Sequence, residues 1–222
     1  MLVNLFKGKL IVSCQALKDE PLHSSFIMGR MALAAKEGGA VAIRANGVED
    51  INEIKRVTGL PIIGIIKRDY NDSDIYITAS SREVNELLET DAEIIALDCT
   101  NRKRPNNENI ADLIEVIHSN GGLVMADIST YEEGIKASEL GVDIISTTLS
   151  GYTPYSPKLN GPDYELVYNL TKDVQVPVFC EGRINTPEDA KRAFDFGAYS
   201  IIVGGAITRP KQITERFVKG IN

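Results

Sequence analysis

The chain has 222 residues, of which 43% are hydrophobic and 25% charged, enough for one sizeable core and short enough that a single domain over residues 1–222 is expected. A net charge of −7 disfavours nucleic acid or an acidic membrane surface as the main partner, so an anionic small molecule would need a local cluster of Arg and Lys. No apolar run approaches membrane-spanning length, and the opening MLVNLFKGKLIVSC is broken by Asn4, Lys7 and Lys9 and lacks a small-residue cleavage site.

In chain order, short Val- and Ile-rich runs predict strands at Leu10–Ser13, Ala40–Ile43, Ile62–Ile66, Ile94–Leu97, Leu123–Ala126, Ile144–Thr147, Val178–Cys180 and Ser200–Val203. Amphipathic stretches between them predict helices at Ser24–Glu37, Val48–Thr58, Ser81–Glu89, Asn109–Ser119, Thr130–Leu140, Asp163–Lys172 and Thr186–Phe196, most closed by glycine. A last helix is expected at Lys211–Lys219. Continuous apolar strands with helices between them mark a parallel sheet covered on both sides. Eight such units without a linker predict a closed (β/α)8 barrel of the TIM type, at the compact end for that fold.

The parallel rule places every strand end at one rim, where barrel enzymes keep their chemistry. In order, these ends are Gln15, Arg44, Lys67, Asp98, Asp127, Thr147-Thr148, Glu181 with Arg183, and Gly204-Gly205. A single polar residue after an apolar run marks only where a strand meets solvent; eight in succession suggest a built site. The stretch from Pro177 to Pro210 carries two anion-ready turns, Glu181-Gly182-Arg183 and Gly204-Gly205 before Thr208-Arg209-Pro210. They follow the seventh and eighth strands, where barrels commonly hold phosphate. Cys14, Cys99 and Cys180 lie far apart in no metal-like spacing, which predicts a reducing, cytoplasmic setting. Alternation turns their thiols toward the helices, as wall packing.

Eight segments together resemble the N-acetylmannosamine-6-phosphate 2-epimerase family. They are SCQALKDEPLH (13–23), AIRANG (42–47), PIIGIIKR (61–68), IALDCTNRKRP (95–105), MADIST (125–130), STTLSGYT (146–153), CEGRINTPE (180–188) and VGGAITRP (203–210). VGGA alone is weak, but the ordered set covers the rim of every strand. The resemblance implies a bacterial (β/α)8 enzyme of amino-sugar and sialic acid breakdown that interconverts N-acetylmannosamine 6-phosphate and N-acetylglucosamine 6-phosphate. It also implies a homodimer, in which the C-terminal helix, with Ile213, Phe217 and Val218 to bury, is a candidate contact.

Those two sugars differ at C2, which in the open-chain form lies next to the C1 aldehyde, so a positioned base can remove its proton. Return of a proton to the opposite face inverts the centre, and no redox cofactor or metal is required. By the resemblance, Lys67 and Glu181 are the catalytic pair, acting on the two faces or with a substrate hydroxyl as relay. Burial would lower the Lys67 pKa and an ionised Glu181 would raise it. Arg44 and Arg183 are candidates to stabilise enolate charge. Gln15 and Asp127 are candidates to orient the sugar, and the phosphate is expected on the N–H groups of Gly182, Gly204 and Gly205 with Arg209 or Arg183.

Blander readings stand beside these: Lys67 in a rim salt bridge to Asp98 or Glu181, Asp127 as a helix cap, and Arg102-Lys103-Arg104 as a solvated loop. Residues 152–163 read as a substrate-covering loop or a long connection, and 69–80 as a small hairpin beside the site. Two isolated histidines, His23 and His118, disfavour a metal-dependent epimerase. Two rival functions are a Schiff-base lyase or aldolase using Lys67 and a catalytically silent sugar-phosphate-binding barrel.

Overall fold

The computed structural model describes residues 2–221. The strands are β1 (Leu10–Cys14), β2 (Ala42–Asn46), β3 (Ile62–Ile65), β4 (Ile94–Asp98), β5 (Leu123–Asp127), β6 (Ile144–Ser146), β7 (Val178–Glu181) and β8 (Ser200–Val203). All pair in parallel in sequence order, and β8 closes on β1 with Leu10 opposite Ile201. The helices are α1 (Ser25–Glu37), α2 (Val48–Thr58), α3 (Ser81–Leu88), α4 (Ile110–Ser119), α5 (Tyr131–Glu139), α6 (Tyr164–Asp173), α7 (Pro187–Asp195), α8 (Gly205–Thr208) and α9 (Pro210–Ile221). The predicted barrel is thus the observed one.

Two apolar layers follow from the period-2 alternation of the strands. Val12, Ile43, Ile62, Leu97, Val124, Ile145, Cys180 and Val203 face outward and pack with the helices, whereas Ile11, Ala42, Ile63, Ile94, Met125, Ile144, Phe179 and Ile202 fill the barrel. A 3-10 turn, Leu2–Phe6, inserts Phe6 into the inner layer, edge-on to Phe179 at 6.1 Å. The thiols of Cys14 and Cys180 belong to the outer layer, and burial pushes both up to about 12.

The departures from expectation are local. The second strand begins and ends later than Ala40–Ile43, because the charged Arg44 lies within the ladder, opposite Ser13 and Ile63, rather than after it. The short helices Leu2–Phe6, Pro105–Asn107 and Gly205–Thr208 span too few residues to show a period. Between residues 69 and 80 only isolated bridges form, Lys67 with Ile77 and Tyr70 with Ser73, in place of a hairpin of strands. The basic loop is not solvated as a unit: Arg102 pairs with Asp98 at 2.5 Å, and the buried Arg104 donates to the Ala79 carbonyl at 2.9 Å.

Candidate active site

Along most strands the inward side chains change from apolar at the base to polar at the rim. Ile11 leads to Ser13 and Gln15, Ala42 to Arg44, Ile63 and Ile65 to Lys67, Met125 to Asp127, Ile144 to Ser146 and Thr148, and Phe179 to Glu181. The apolar lower layers exclude water from beneath the polar ones, so charges at the rim interact through a poorly screened medium.

Gln15, Arg44, Lys67 and Glu181 line one cavity of about 570 Å³. Gly182, Arg183, Gly204, Gly205 and Arg209 line the same cavity. Asp127 is fully buried and is reached through its partners. Arg44 donates to its two carboxylate oxygens at 3.0 and 2.5 Å, and Thr148 Oγ donates to Oδ1 at 2.6 Å. Arg44 Nη1 also donates to Glu181 Oε2 at 3.1 Å, so one buried guanidinium joins two carboxylates from strands β5 and β7. Asp127 does not cap α5: Thr130 does, accepting from the Glu133 N–H at 3.3 Å in a capping box.

The charges shift one another. Burial opposes the Arg44 charge, but Asp127 and Glu181 more than offset it and hold the guanidinium above its usual value. Burial pushes the Glu181 carboxyl above the usual carboxylate range; Arg44 opposes the rise and Asp127 adds to it. Lys67 is lowered from 10.5 to about 8, first by burial and then by the charges of Arg44 and Arg209, with Glu181 and Glu20 pulling the other way. Among the described residues Lys67 makes no salt bridge; its Nζ lies 5.8 Å from the Tyr76 ring centroid. A carboxyl raised and an amine lowered toward neutrality suit both for proton transfer near pH 7.

Gln15 Nε2 donates to Ser13 Oγ at 2.8 Å, while its Oε1 is buried with no partner among the described residues. Gly182 has φ 104°, a left-handed conformation that favours glycine, and Arg183 follows at φ 55°. The Arg183 guanidinium donates to the carbonyls of Gly161 at 2.8 Å and Ser150 at 2.6 Å, so two of its nitrogens hold the loop after β6. It lies so close to Gly151 that a Cβ there would collide with Nη1. Arg209 pairs with Glu20 at 3.1 Å, both partly exposed. The first N–H groups of α8 at Gly205 have no acceptor within their own helix. Of the rim residues, Asp98 is drawn away by Arg102 and Thr100. The histidines lie apart: His23 Nδ1 contacts the Ala16 carbonyl at 3.1 Å, and His118 contacts Asp143 at 2.9 Å.

Thr148 and Tyr76 are among the cavity residues to which the sequence assigns no role. Thr148 follows from carrying the Ile144–Ser146 alternation two residues past the strand. Tyr76 lines the cavity from the segment after β3, which has no period to read.

Comparison with known proteins bears on the chemistry. A family model described as putative N-acetylmannosamine-6-phosphate epimerase matches residues 28–222. A putative N-acetylmannosamine-6-phosphate 2-epimerase of Clostridium perfringens (strain SM101 / Type A) is 69% identical over 216 residues, 97% of this chain and 98% of the relative. One from Clostridioides difficile (strain 630) is 66% identical over 215 residues, covering 97% and 96%. The solved structure of the N-acetylmannosamine-6-phosphate 2-epimerase from Clostridium perfringens is 68% identical, with a TM-score of 0.98 over 99% of this chain and 96% of that one. Thiamine phosphate pyrophosphorylase from Pyrococcus furiosus, at 20% identity and TM-score 0.63 over 96% and 92%, shares the fold alone.

Proposed function

The chain belongs to the N-acetylmannosamine-6-phosphate epimerase family, and on that premise we propose that it interconverts N-acetylmannosamine 6-phosphate and N-acetylglucosamine 6-phosphate by moving a proton off and onto C2. The observation that carries this reading is the placement of Lys67 and Glu181. They follow or end strands four apart in a ring of eight, so they face one cavity from opposite sides. In the open-chain sugar one takes the C2 proton while the other, protonated, delivers to the opposite face. Arg44, already between two carboxylates, stabilises negative charge as it develops on the enolate.

In this reading the buried Gln15 Oε1 accepts from a sugar hydroxyl or the acetamido N–H, which would satisfy it. Asp127 acts through Arg44 and Thr148, fixing the guanidinium that faces the substrate. The phosphate lies on the N–H groups of Gly182, Gly204 and Gly205, with Arg209 turning from Glu20 to meet it. Arg183 supports it by holding the loop after β6. A Schiff-base reaction would use the same lowered Lys67 amine, but it leaves the Arg44–Glu181–Asp127 group without work. Borohydride trapping of an adduct on Lys67 would favour it.

The reading is tested by a proton NMR time course in deuterium oxide with N-acetylmannosamine 6-phosphate. The product is expected to be N-acetylglucosamine 6-phosphate carrying solvent deuterium at C2; turnover with the original hydrogen retained would overturn it. We also propose a homodimer. Helix α9 buries none of its own residues, and Phe217 and Ile221 are 72% and 82% exposed, an apolar face that a second copy would cover. The three free cysteines support a reducing, cytoplasmic setting, and the family resemblance supports a place in sialic acid breakdown.

A further inference from the structure

We propose that Thr148 is a positioning residue whose single hydroxyl hydrogen alternates between Asp127 and Glu181 as Glu181 gains and loses the proton it exchanges with the substrate. The inference rests on the proposed acid–base role of Glu181. Thr148 Oγ lies 2.6 Å from Asp127 Oδ1, 3.0 Å from Glu181 Oε2 and 2.8 Å from Ser146 Oγ. One hydroxyl hydrogen serves one acceptor at a time, so two carboxylates compete for it.

The two oxygens of Glu181 are unequal. Oε2 is surrounded by Arg44 Nη1 at 3.1 Å, Thr148 Oγ at 3.0 Å and Ser146 Oγ at 3.4 Å. Oε1 has no partner among the described residues and is not sealed in the interior, which leaves it to the cavity that Glu181 lines. Oε1 is therefore the oxygen that meets C2, and Oε2 is the anchor. While Glu181 is ionised, Thr148 donates to Oε2. When Oε1 takes a proton from C2, the neutral carboxyl becomes a weaker acceptor, and the hydrogen turns to Asp127, which is paired with Arg44. The C–H electron pair passes to the enolate, the proton moves to Oε1, and at Thr148 only the Cβ–Oγ torsion changes. The other groups facing Glu181 are Arg44 from β2, Lys67 after β3, Asp127 from β5 and Ser146 from β6.

The test is the pH dependence of kcat/KM for Thr148→Val and Thr148→Ser beside the unaltered protein. The substrate phosphate titrates near pH 6 in all three and cancels in the comparison. Loss of a donor to the ionised carboxylate moves the acid limb of Thr148→Val upward by about one pH unit and lowers kcat about ten-fold, with KM little changed. Thr148→Ser restores the limb. If Thr148→Val does not fold, Thr148→Ala is read in the same way. A limb that stays in place, or moves down, overturns the proposal. Glu181→Gln separates the two layers: full turnover in that variant removes the role of Glu181 itself, whereas an inactive Glu181→Gln beside an unmoved Thr148→Val limb removes only Thr148.

Discussion

A lysine amine held among apolar walls, with Arg44 and Arg209 nearby, is less stable charged than the same amine in water. Lys67 titrates at about 8 in the folded chain and near 10.5 when unfolded. Between these values the unfolded chain binds more protons, so stability rises with pH across that window, and the full cost is present below about 8. Lys67→Met, which keeps the length and loses the charge, is expected to abolish turnover while raising stability at pH 7 by about 2 kcal/mol, or ~5 °C in Tm. The gain should fade as the pH rises from 8 to 10.5, because the native amine is then neutral as well. Equal melting of both proteins at pH 7 would mean that Lys67 carries no such cost. Arg44 is the reverse case. Arg44→Met leaves Asp127 and Glu181 buried without their shared cation, and should cost about 3–5 kcal/mol in urea unfolding at pH 7. Because protonation relieves that strain, the deficit should shrink on acidification.

At the scale of elements, the rim is held by carboxylates that never touch the cavity. Glu133, in the first turn of α5, is buried and accepts at Oε1 from the Asn101 N–H at 2.8 Å and the Tyr155 hydroxyl at 2.6 Å. Its Oε2 accepts from the Ser129 N–H at 2.8 Å and the Thr130 N–H at 3.1 Å. One side chain thereby ties together the loops after β4, β5 and β6. Glu133→Ala should destabilise by about 3 kcal/mol and speed hydrogen exchange at Asn101, Ser129 and Thr130. Unchanged protection at those amides would contradict this. The sequence shows Glu133 as the fourth position of Thr130-Tyr131-Glu132-Glu133, a capping box. Its contacts with Asn101 and Tyr155 come from loops with no period, and only the closed barrel brings them near. For the same reason the helix spans were legible, α2 to the residue, while the segment after β3 and the short helix α8 were not.

For the molecule as a whole, the barrel was readable because eight parallel units repeat one apolar pattern, and strand ends then collect at one rim without further information. That step gathered nine of the ten predicted site residues around one cavity, with Asp127 one contact beneath. What the pattern did not give was depth: Arg44 and Asp127 lie within the strands and pair with each other, 83 residues apart in sequence. Nor did it give the commitment of Arg183 to loop carbonyls, which depends on the path of residues 150–161. Self-association belongs to this scale as well. Phe217→Asp on α9 should turn a dimer into a monomer in sedimentation velocity, and a monomeric unaltered protein would remove the proposal. An amine and a carboxyl are thus proposed to address one stereocentre from two sides. The decisive measurement follows solvent deuterium at C2 from each epimer separately in Lys67→Met and Glu181→Gln. Both variants are expected to lose epimerisation, each retaining exchange from one epimer only, and from opposite ones. Exchange from both epimers in one variant and from neither in the other would show a single group at work, and would contradict the account.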